Sequence, residues 1–342
     1  MIKLKLIIIS FLSFCLSNNA FTQSKELKVL QLNIWQEGTI IKNGYDAIVK
    51  EITALSPDII MLSEVRNYNN TDFCDRLAKS LAANGKKYYT FKSSGSGILS
   101  AFPISENNKL FSEKGAVVRA LTKVGKHEIA IYSAHLDYQN YAVHLPKGYS
   151  GTTWEKLPAP VLDVNKILAD NLASKRDEAI DSFLVAAKED IAKGRMIFLG
   201  GDFNEASHWD WAENTKDTFD HAGLVVPWQN SIQLYKNGFK DSFREIYPDA
   251  RKNPGFTFPA SNIDIGIEKL AWAPDADERE RIDFIYFYPN KHLKLKSSNV
   301  VGPTGSILRN QRVEETEADL IIKPTGVWPT DHKAILSVFE LK

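Results

Sequence analysis

"LGGDFNEASH", residues 199–208, joins a run of large apolar residues to a polar segment that carries an acid and an amide two positions apart. The apolar run, which begins at Met196, is typical of a buried strand, and Gly, Asp and Asn are residues that turns prefer. We therefore expect Gly200-Gly201 to form a turn that presents Asp202 and Asn204. Taken alone, this segment is either an ordinary turn or a site of chemistry, and the rest of the chain has to decide.

The composition is that of a globular protein. The chain has 342 residues, of which 44% are apolar and 25% charged, and it shows no repeat or linker, so we predict one domain over residues 23–342. Its 42 basic and 42 acidic residues balance. Proteins that bind duplex DNA usually have an excess of basic residues. The balanced charge of this chain therefore disfavours a polynucleotide as the main substrate without excluding it. We expect a monomer.

Residues 1–22 have the pattern of a secretory signal peptide. Lys3 and Lys5 precede an apolar stretch over residues 6–16, and the small residues Ala20 and Thr22 follow. The stretch is too short to span a bilayer as a helix, and no later segment is apolar enough to do so. The sequence thus predicts a secreted or periplasmic protein, with cleavage near Thr22.

The two cysteines bear on anchoring and on stability. Cys15 suggests a lipoprotein, but bulky Phe14 before it does not match the small residue that such sites need. Removal of the leader leaves only Cys74, which excludes an intramolecular disulfide. Stability must therefore come from the core.

Short apolar runs that end in polar residues alternate with helical patterns. Helices are predicted over residues 43–55, 72–83 and 174–193, and a hairpin at Val124-Gly125-Lys126. This order indicates an α/β layered fold with mixed sheets covered by helices. Residues 138–165 and 206–275 show no clear period, and loops of that length are usually functional. The predicted strands are LKVLQLNIW, DIIMLSEV, EIAIYSAHLD, RMIFLGGDFN, RIDFIYFYP and HKAILSVFEL, at residues 27–35, 58–65, 128–137, 195–204, 281–289 and 332–341.

Polar residues suited to metal binding or proton transfer stand at the ends of these runs. Singly, each has an ordinary explanation as a strand cap, a core histidine or a turn residue. Glu64 is less ordinary, because alternation places it on the apolar face of Ile60 and Leu62. Asp283 lies in a strand that is apolar on both faces, so its carboxylate needs a partner, and His332 is a natural candidate. The full set is Asn33, Glu64, His135, Asp202, Asn204, Asp283, Asp331 and His332.

Carboxylates, amides and imidazoles that meet at one sheet edge point to phosphate chemistry. Hard oxygen ligands suit Mg²⁺, Mn²⁺ or Ca²⁺ better than Zn²⁺, and the sequence has no cysteine or paired-histidine spacing for zinc. A metal ion that neutralises phosphoryl oxygens while a positioned water attacks in line is a mechanism of phosphate ester hydrolysis.

The segments LNIW, SEV, SAHLD, GGDFN, RIDF and TDH, in this order, resemble the endonuclease/exonuclease/phosphatase superfamily, which includes deoxyribonuclease I, abasic-site endonucleases, neutral sphingomyelinases and inositol polyphosphate phosphatases. The resemblance runs from Leu27 to the C-terminus. It implies an α/β fold, a two-layer sandwich of mixed β-sheets flanked by helices, and a hydrolase with one or two divalent ions. The leader indicates a secreted, bacterial-type member.

By this resemblance, Glu64 is the principal metal ligand, with Asn33 next to it contacting metal or phosphate and Asp331 supporting a metal. Two departures bear on the inference. The glutamate that supports the first histidine in deoxyribonuclease I has no clear counterpart in residues 91–99, and the two long segments fit none of these subfamilies well.

The resemblance also implies the catalytic roles. Asp202 orients or deprotonates the attacking water, and Asn204 holds a phosphate oxygen. His332, oriented by Asp283, acts as general base or binds the scissile phosphate. His135 stabilises developing charge or assists the leaving group.

Four further residues are candidates for substrate contact. In related enzymes a basic residue at the position of Arg119 can face the substrate, although a surface strand arginine is an equal alternative. Tyr138 and His144 follow the SAHLD segment and could line the entrance, or be solvated loop residues. Phe258 could pack around a flat group or simply belong to the core.

Three functions are compatible with these residues. The first is a secreted, divalent-metal-dependent phosphoesterase that acts on phosphodiesters or phosphomonoesters. The second is a secreted endonuclease of the deoxyribonuclease I type. The third, a binding module that has lost catalysis, is disfavoured because none of the eight polar positions is missing. The substrate, a small molecule or a nucleic acid, is left open.

Overall fold

The computed structural model of the protein describes residues 25–316 and 320–342. The predicted signal peptide, with Cys15, lies outside this range. Over the described residues, two six-stranded β-sheets carry helices on their faces. The strands are β1 (Lys25–Asn33), β2 (Ile59–Val65), β3 (Tyr89–Thr90), β4 (Gly95–Ser100), β5 (Ile104–Phe111), β6 (Ala116–Val124), β7 (His127–His135), β8 (Met196–Asp202), β9 (Lys240–Asp241), β10 (Asp283–Phe287), β11 (Leu293–Val301), β12 (Gly305–Leu308), β13 (Gln311–Glu314) and β14 (Ala334–Leu341).

Helices connect and cover the strands. None of those in the described part of the chain is long and apolar enough to cross a membrane. Single 3-10 turns occur at Gln36–Gly38, Tyr68–Asn70, Ala142–His144 and Ile267–Lys269. The α-helices are α1 (Gly44–Leu55), α2 (Phe73–Ala83), α3 (Val164–Asn171), α4 (Arg176–Ala192), α5 (Gln229–Lys236) and α6 (Ser242–Ile246).

Both large sheets are mixed. The first has the strand order β11-β14-β1-β2-β4-β3 and the second β5-β6-β7-β8-β10-β9, while β12 and β13 form a separate hairpin. The pairs β1/β2 and β7/β8 are parallel, and the other pairs are antiparallel. The predicted α/β sandwich of two mixed sheets flanked by helices is confirmed.

Strand alternation divides the apolar residues into layers. Met61 and Phe198 belong to the cluster between the sheets. Leu62 packs with residues of α1 and α2, and Leu199 packs with Phe183 of α4. Since both faces of the central strands are buried, their sequences are nearly continuous apolar runs. Full burial of one such side chain stabilises the folded state by about 1.5–3 kcal/mol relative to leaving that side chain exposed.

The predicted elements with strong periodicity are confirmed. Each of the six apolar runs contains a strand, and the three predicted helices match α1, α2 and α4 to within two residues. In the β6–β7 hairpin, Val124 pairs with His127, and Gly125 in the turn has φ 59°. Cys74 is a buried free thiol in the described part of the chain.

The predicted turn at Gly200-Gly201 is wrong. Both glycines lie inside β8 and pair with β7 and β10. A Cβ on Gly200 would lie 2.3 Å from Cε of Met61, and one on Gly201 would lie 2.1 Å from the carbonyl oxygen of Ala134. The glycines are therefore needed because Met61 and Ala134 approach them closely. The strand ends at Asp202, and the chain turns away at Asn204, where φ is 49°.

The long segments are more ordered than their sequences indicate. Residues 206–275 contain α5, β9 and α6, which corrects the expectation of one long loop. Residues 138–165 include the 3-10 turn and otherwise lack regular structure before α3. Side chains from both segments share one apolar cluster, which includes Tyr141 and Trp211. This shared cluster holds the two segments together beside the sheet edge.

We predict that Gly201→Ala destabilises the protein by about 1–3 kcal/mol, because its methyl group would overlap the backbone of β7. The measurement is urea unfolding. Gly326→Ala is the control, since the added carbon there would meet only the flexible end of Lys50, and we expect a change within about 0.5 kcal/mol. Equal effects for the two variants would contradict the close-approach explanation.

Candidate active site

Three polar residues lie side by side across the second sheet. Asp202 of β8 pairs in register with His135 of β7 on one side and with Asp283 of β10 on the other. Residues in one register row point to the same face of a sheet. The three side chains are buried, being 8%, 1% and 0% exposed for His135, Asp202 and Asp283. The row thus places the carboxylate of Asp202 between an imidazole and a second carboxylate at one end of the sandwich.

Asn33, at the end of β1, reaches this row from the first sheet. Its Nδ2 donates to Oδ2 of Asp202 at 2.9 Å and to Oε1 of Glu64 at 3.3 Å. Its Oδ1 accepts the backbone N–H of Trp35 at 2.9 Å. In this orientation Asn33 offers hydrogen-bond donors to the centre rather than the oxygen that a metal ligand needs.

Glu64 reaches the centre through a β-bulge. The register of β2 with β4 shifts between Ser63 and Val65, and Glu64 has φ 68°. Strict alternation would have buried Glu64 beneath the helices beside Leu62. The extra residue turns the side chain to the sheet edge instead, where its Oε2 accepts the N–H of Gln36 at 3.0 Å.

His332 and Asp283 form the pair that the sequence predicts. Nδ1 of His332 lies 2.9 Å from Oδ2 of Asp283, and Nε2 of Gln31 donates to Oδ1 of the same carboxylate at 2.8 Å. The Nε2 atom of His332 is 3.9 Å from Oδ2 of Asp202 and 4.0 Å from Oδ1 of Asp331. Asp283 therefore fixes the imidazole so that its other nitrogen lies near these two carboxylates.

Burial and mutual charge set the pKa values. Burial disfavours the cation of His332, but Asp283 and Asp202 outweigh it and raise its pKa to about 10. Burial raises the pKa of Asp202 to about 7 and that of Asp331 to about 7. Burial also lowers the pKa of His135 to about 4. His332 and His135 therefore differ in charge at neutral pH.

Glu64 behaves differently from the other carboxyl groups. Its burial acts to raise the pKa, but the charges of His135, His332 and Arg66 outweigh this and lower it. Glu64 is thus ionised at neutral pH, and its side chain is 14% exposed.

These groups line a cavity of about 450 Å³, a size typical of small-molecule sites. Asn33 and Asp283 lie outside its lining and act through the residues that they contact. Tyr138 lies at the rim, 54% exposed, and the ring of Phe258 is 4.9 Å from that of His332. The predicted site residues that line the cavity are Glu64, His135, Tyr138, His144, Asp202, Asn204, Phe258, Asp331 and His332.

The donor set fits a divalent metal ion. Asp202, Asp283 and His332 form a group whose candidate ligand atoms lie within 4.8 Å of one another. Glu64 and Asp331 add two carboxylates at the same cavity. Buried carboxylates whose pKa rises through desolvation are stabilised by a bound cation, and oxygen donors suit Mg²⁺, Mn²⁺ and Ca²⁺.

Comparison with known proteins agrees with this geometry. The family model described as "Endonuclease/Exonuclease/phosphatase family" matches residues 30–332. The chain belongs to this family. Together with the site, family membership supports a phosphodiester hydrolase.

Three similar proteins illustrate the relationship. The uncharacterized protein F14F9.5 of Caenorhabditis elegans is 26% identical over 273 residues, which cover 80% of this chain and 82% of that one. The human Nocturnin catalytic domain, solved with bound sulfate, superposes with a TM-score of 0.53 at 15% identity and covers 94% and 98% of the two chains. TDP2 of D. rerio, complexed with a single-strand DNA product, gives 0.51 at 12% identity and covers 92% and 98%. The two structures share the fold with this family member.

The structure places Arg119 outside the site. Alternation along β6 puts Arg119 on the helix-facing side with Val117, where its Nη2 and Nε lie 2.7 and 2.9 Å from the carboxylate of Asp190 in α4. Arg119 does not line the cavity within the described chain. This position corrects the prediction that it faces the substrate.

Sequence reasoning missed residues that hold the site together. Ser63 accepts the N–H of Asp202 at 3.0 Å and donates to the carbonyl of Ala134 at 2.9 Å, so it ties the two sheets at the site. Gln31 holds Asp283, and its position on the inter-sheet face with Val29 was a usable signal. The cavity residues Trp154 and Trp272 lie in segments without a period, which gave no signal, and Arg66 directly follows the predicted strand that ends at Val65.

We predict that Asp283→Asn lowers the pKa of His332 from about 10, because it removes the main charge that stabilises the imidazolium. The measurement is an NMR titration of the protein in a chelator, with Asp75→Asn of α2 as control. The sign also applies to stability: a histidine pKa raised above 6.5 stabilises the fold fully below pH 6.5, and this contribution is lost as pH rises through 10. An unchanged His332 pKa in the variant would contradict the pairing.

Proposed function

We propose that this protein hydrolyses phosphodiester bonds, with a divalent metal ion, by in-line attack of an activated water. The observation that carries the proposal is the meeting of Asp202, Glu64 and the His332–Asp283 pair at one cavity. Each of these groups has a role in phosphoryl transfer to water, and their order along the chain is that of the family segments.

Glu64 and Asp331 would hold one or two ions of Mg²⁺, Mn²⁺ or Ca²⁺. The bulge brings the ionised carboxylate of Glu64 to the cavity, and Asp331 lines the same cavity from the segment before β14. When bound, such an ion neutralises the phosphoryl oxygens and lowers the pKa of a bound water. Asp202 lines the same cavity, with its Oδ2 3.9 Å from Nε2 of His332, and would share in this site.

Asp202 is placed to orient the water and accept its proton. The backbone N–H of Asn204 donates to Oδ1 at 2.9 Å, and Nδ2 of Asn33 donates to Oδ2 at 2.9 Å. A carboxylate held at both oxygens keeps one orientation, which a general base needs. Its remaining lone pairs are available to the water.

His332 is placed to bind the scissile phosphate. Its Nδ1–H donates to Asp283, and the carboxylates on both sides of the ring favour a positive charge on it. A cationic imidazole donates to a phosphate oxygen and stabilises the charge that develops in the transition state. His135 would assist the leaving oxygen, and the amide of Asn204 would contact a phosphate oxygen.

An endonuclease of the deoxyribonuclease I type is the second candidate. The single-strand DNA product bound to the D. rerio TDP2 structure favours it. Against it, Arg66 is the one lysine or arginine among the described residues that line the cavity, and the chain as a whole has no basic excess. Plasmid nicking with a steep salt dependence would favour the nuclease. The non-catalytic module is disfavoured because all eight polar residues are present.

We further propose that residues 1–22 direct export to the periplasm or the medium and that Cys15 carries no lipid. The lysines, apolar stretch and small residues of this segment support the proposal. N-terminal sequencing of the exported protein tests it: a mature chain that begins near Gln23 is expected, and a lipidated Cys15 would contradict it.

We predict that Asp202→Ala and His332→Ala each lower turnover by about 10²–10⁴-fold, because each removes proton transfer or charge stabilisation in the transition state. The assay uses plasmid DNA, bis-p-nitrophenyl phosphate, p-nitrophenyl phosphate, inositol phosphates and phospholipids, with Mg²⁺, Mn²⁺ or Ca²⁺. Asp75→Ala, on the surface of α2, is the matched control and keeps wild-type rates. Near-normal turnover in both site variants would refute the mechanism.

We predict that dialysis against a chelator abolishes hydrolysis and that added Mg²⁺ or Mn²⁺ restores it. Glu64→Gln should raise the metal concentration needed for half-maximal activity by about 10- to 100-fold, because it replaces a charged ligand by a neutral amide. Glu245→Gln in α6 is the control. Full activity after chelation would exclude metal dependence.

A further inference from the structure

A continuous group of rings lines the cavity beside the carboxylates. We call Tyr141, His144, Trp154 and Trp272 the aromatic wall. Its ring centroids lie 4.8 Å apart for Tyr141 and His144, 5.5 Å for His144 and Trp154, and 5.6 Å for Trp154 and Trp272. The proposed hydrolysis uses none of these residues.

An ion pair and hydrogen bonds hold the aromatic wall in place, and two of these contacts join residues 149–156 to Asp275. Nζ of Lys156 lies 2.6 Å from Oδ2 of Asp275, and the N–H of Asp275 donates to the hydroxyl of Tyr149 at 3.2 Å. Glu278 accepts the N–H of Trp272 at 2.8 Å. The wall is thus assembled before any ligand arrives, which lowers the entropy cost of binding.

Two polar groups in the aromatic wall have no partner among the described residues. His144 is 0% exposed with both ring nitrogens unbonded, and the hydroxyl of Tyr141 is equally buried and unbonded. Buried polar groups are nearly always hydrogen-bonded in native proteins. Burial, aided by Lys147, lowers the pKa of His144 to about 3, so the ring is neutral and offers one donor and one acceptor.

We propose that the aromatic wall binds one nucleobase of a compact phosphodiester, with the polar edge of the base meeting Tyr141 and His144, beside the scissile phosphate. The inference rests on the proposed function, since it names the substrate class of that same site. Aromatic side chains bind bases by stacking on their faces, and donors and acceptors at the edge of the pocket read the base.

The count of polar groups favours a base over a sugar. A hexose has hydroxyl groups all around its ring, and each loses free energy if it is buried without a partner. Among the described residues, the buried polar atoms of the aromatic wall that lack a partner belong to Tyr141 and His144, and its two tryptophans add only one indole N–H donor each. A base has two apolar faces and a polar edge, which matches rings on the wall and two polar groups within it.

The charge of the cavity favours a compact substrate over a polymer. A bound polynucleotide brings further phosphates on both sides of the cleaved bond, and proteins neutralise these with lysine and arginine. The aromatic wall carries no charge at neutral pH, and Arg66 is the single such cation among the described lining residues. A mononucleotide ester brings one phosphate only, which the metal site and His332 would bind.

The test compares esters that differ only in the base. The methyl ester of adenosine 5′-monophosphate is compared with the methyl ester of methyl riboside 5-phosphate, which lacks the base, and the products are separated by chromatography. Water attacks phosphorus, methanol leaves with the proton, and the monoester remains. We expect kcat/KM to favour the nucleotide by about tenfold or more, from base stacking.

The variants locate the effect. Trp272→Ala removes a ring that is 46% exposed, and His144→Phe keeps a ring but removes both nitrogens. In each, the ratio of the two kcat/KM values is expected to fall by about tenfold, towards one. Trp209→Ala is the matched control, because Trp209 is 41% exposed and does not line this cavity within the described chain, so the wild-type ratio is expected there.

Several results would overturn the proposal. These are a wild-type ratio near one, a ratio unchanged in both wall variants, a higher kcat/KM for the methyl ester of glucose 6-phosphate, and a higher kcat/KM for a single-stranded oligonucleotide. If no ester is hydrolysed, the proposed function fails, and calorimetry with adenosine 5′-monophosphate decides the inference separately. Binding that is lost in Trp272→Ala would support the base site, and no binding to the wild-type protein would refute it.

Discussion

The buried carboxylate of Asp283 is the constraint on which the arrangement of the site depends. It is fully buried where the two sheets meet, so it must be paired, and it accepts hydrogen bonds from His332 and Gln31. These partners come from the segment before β14 and from β1, while Asp283 itself begins β10. Removing one partner of such a buried pair typically costs about 3–5 kcal/mol, so strand assembly and imidazole orientation are stabilised by the same contact.

A second group of buried charges fixes the long segments that border the cavity. Arg281, two residues before Asp283, donates to Asp210 at 3.0 Å and to Asp241 at 2.6 Å, and Arg244 donates to Asp210 at 2.6 Å. These contacts join the segment after β8 to α6 and β10. Since the guanidinium groups are satisfied at several nitrogens, the loops are held in one geometry, as a preformed pocket requires.

Much of the sandwich and most of the site could be predicted from sequence, for one physical reason. Burying a polar residue at the end of a strand costs free energy unless the residue has a hydrogen-bonding or charged partner. Asp202 and Asp283 could therefore be recognised as unusual in otherwise apolar runs. The failures have local causes. The bulge at Glu64 and the close approach at Gly200 depend on neighbouring strands, and alternation along one strand carries no information about them. Arg119 was misplaced because its strand was recognised without its facing helix.

Of the aromatic wall, the sequence indicated only His144 as a candidate lining residue, because Tyr141 and Trp272 are far apart in sequence and lie in segments without periodicity. Its position beside the carboxylates has a physical consequence for the reaction. Contacts to a part of the substrate that does not react can hold the phosphate against Asp202 and the metal ligands, which converts binding free energy into orientation. In the proposed function, the strand residues therefore carry the chemistry and the loop residues of the aromatic wall carry the selectivity. Substitutions in the aromatic wall should then change which ester is cleaved. They should not change the order in which bonds form and break, because the strand residues determine that order.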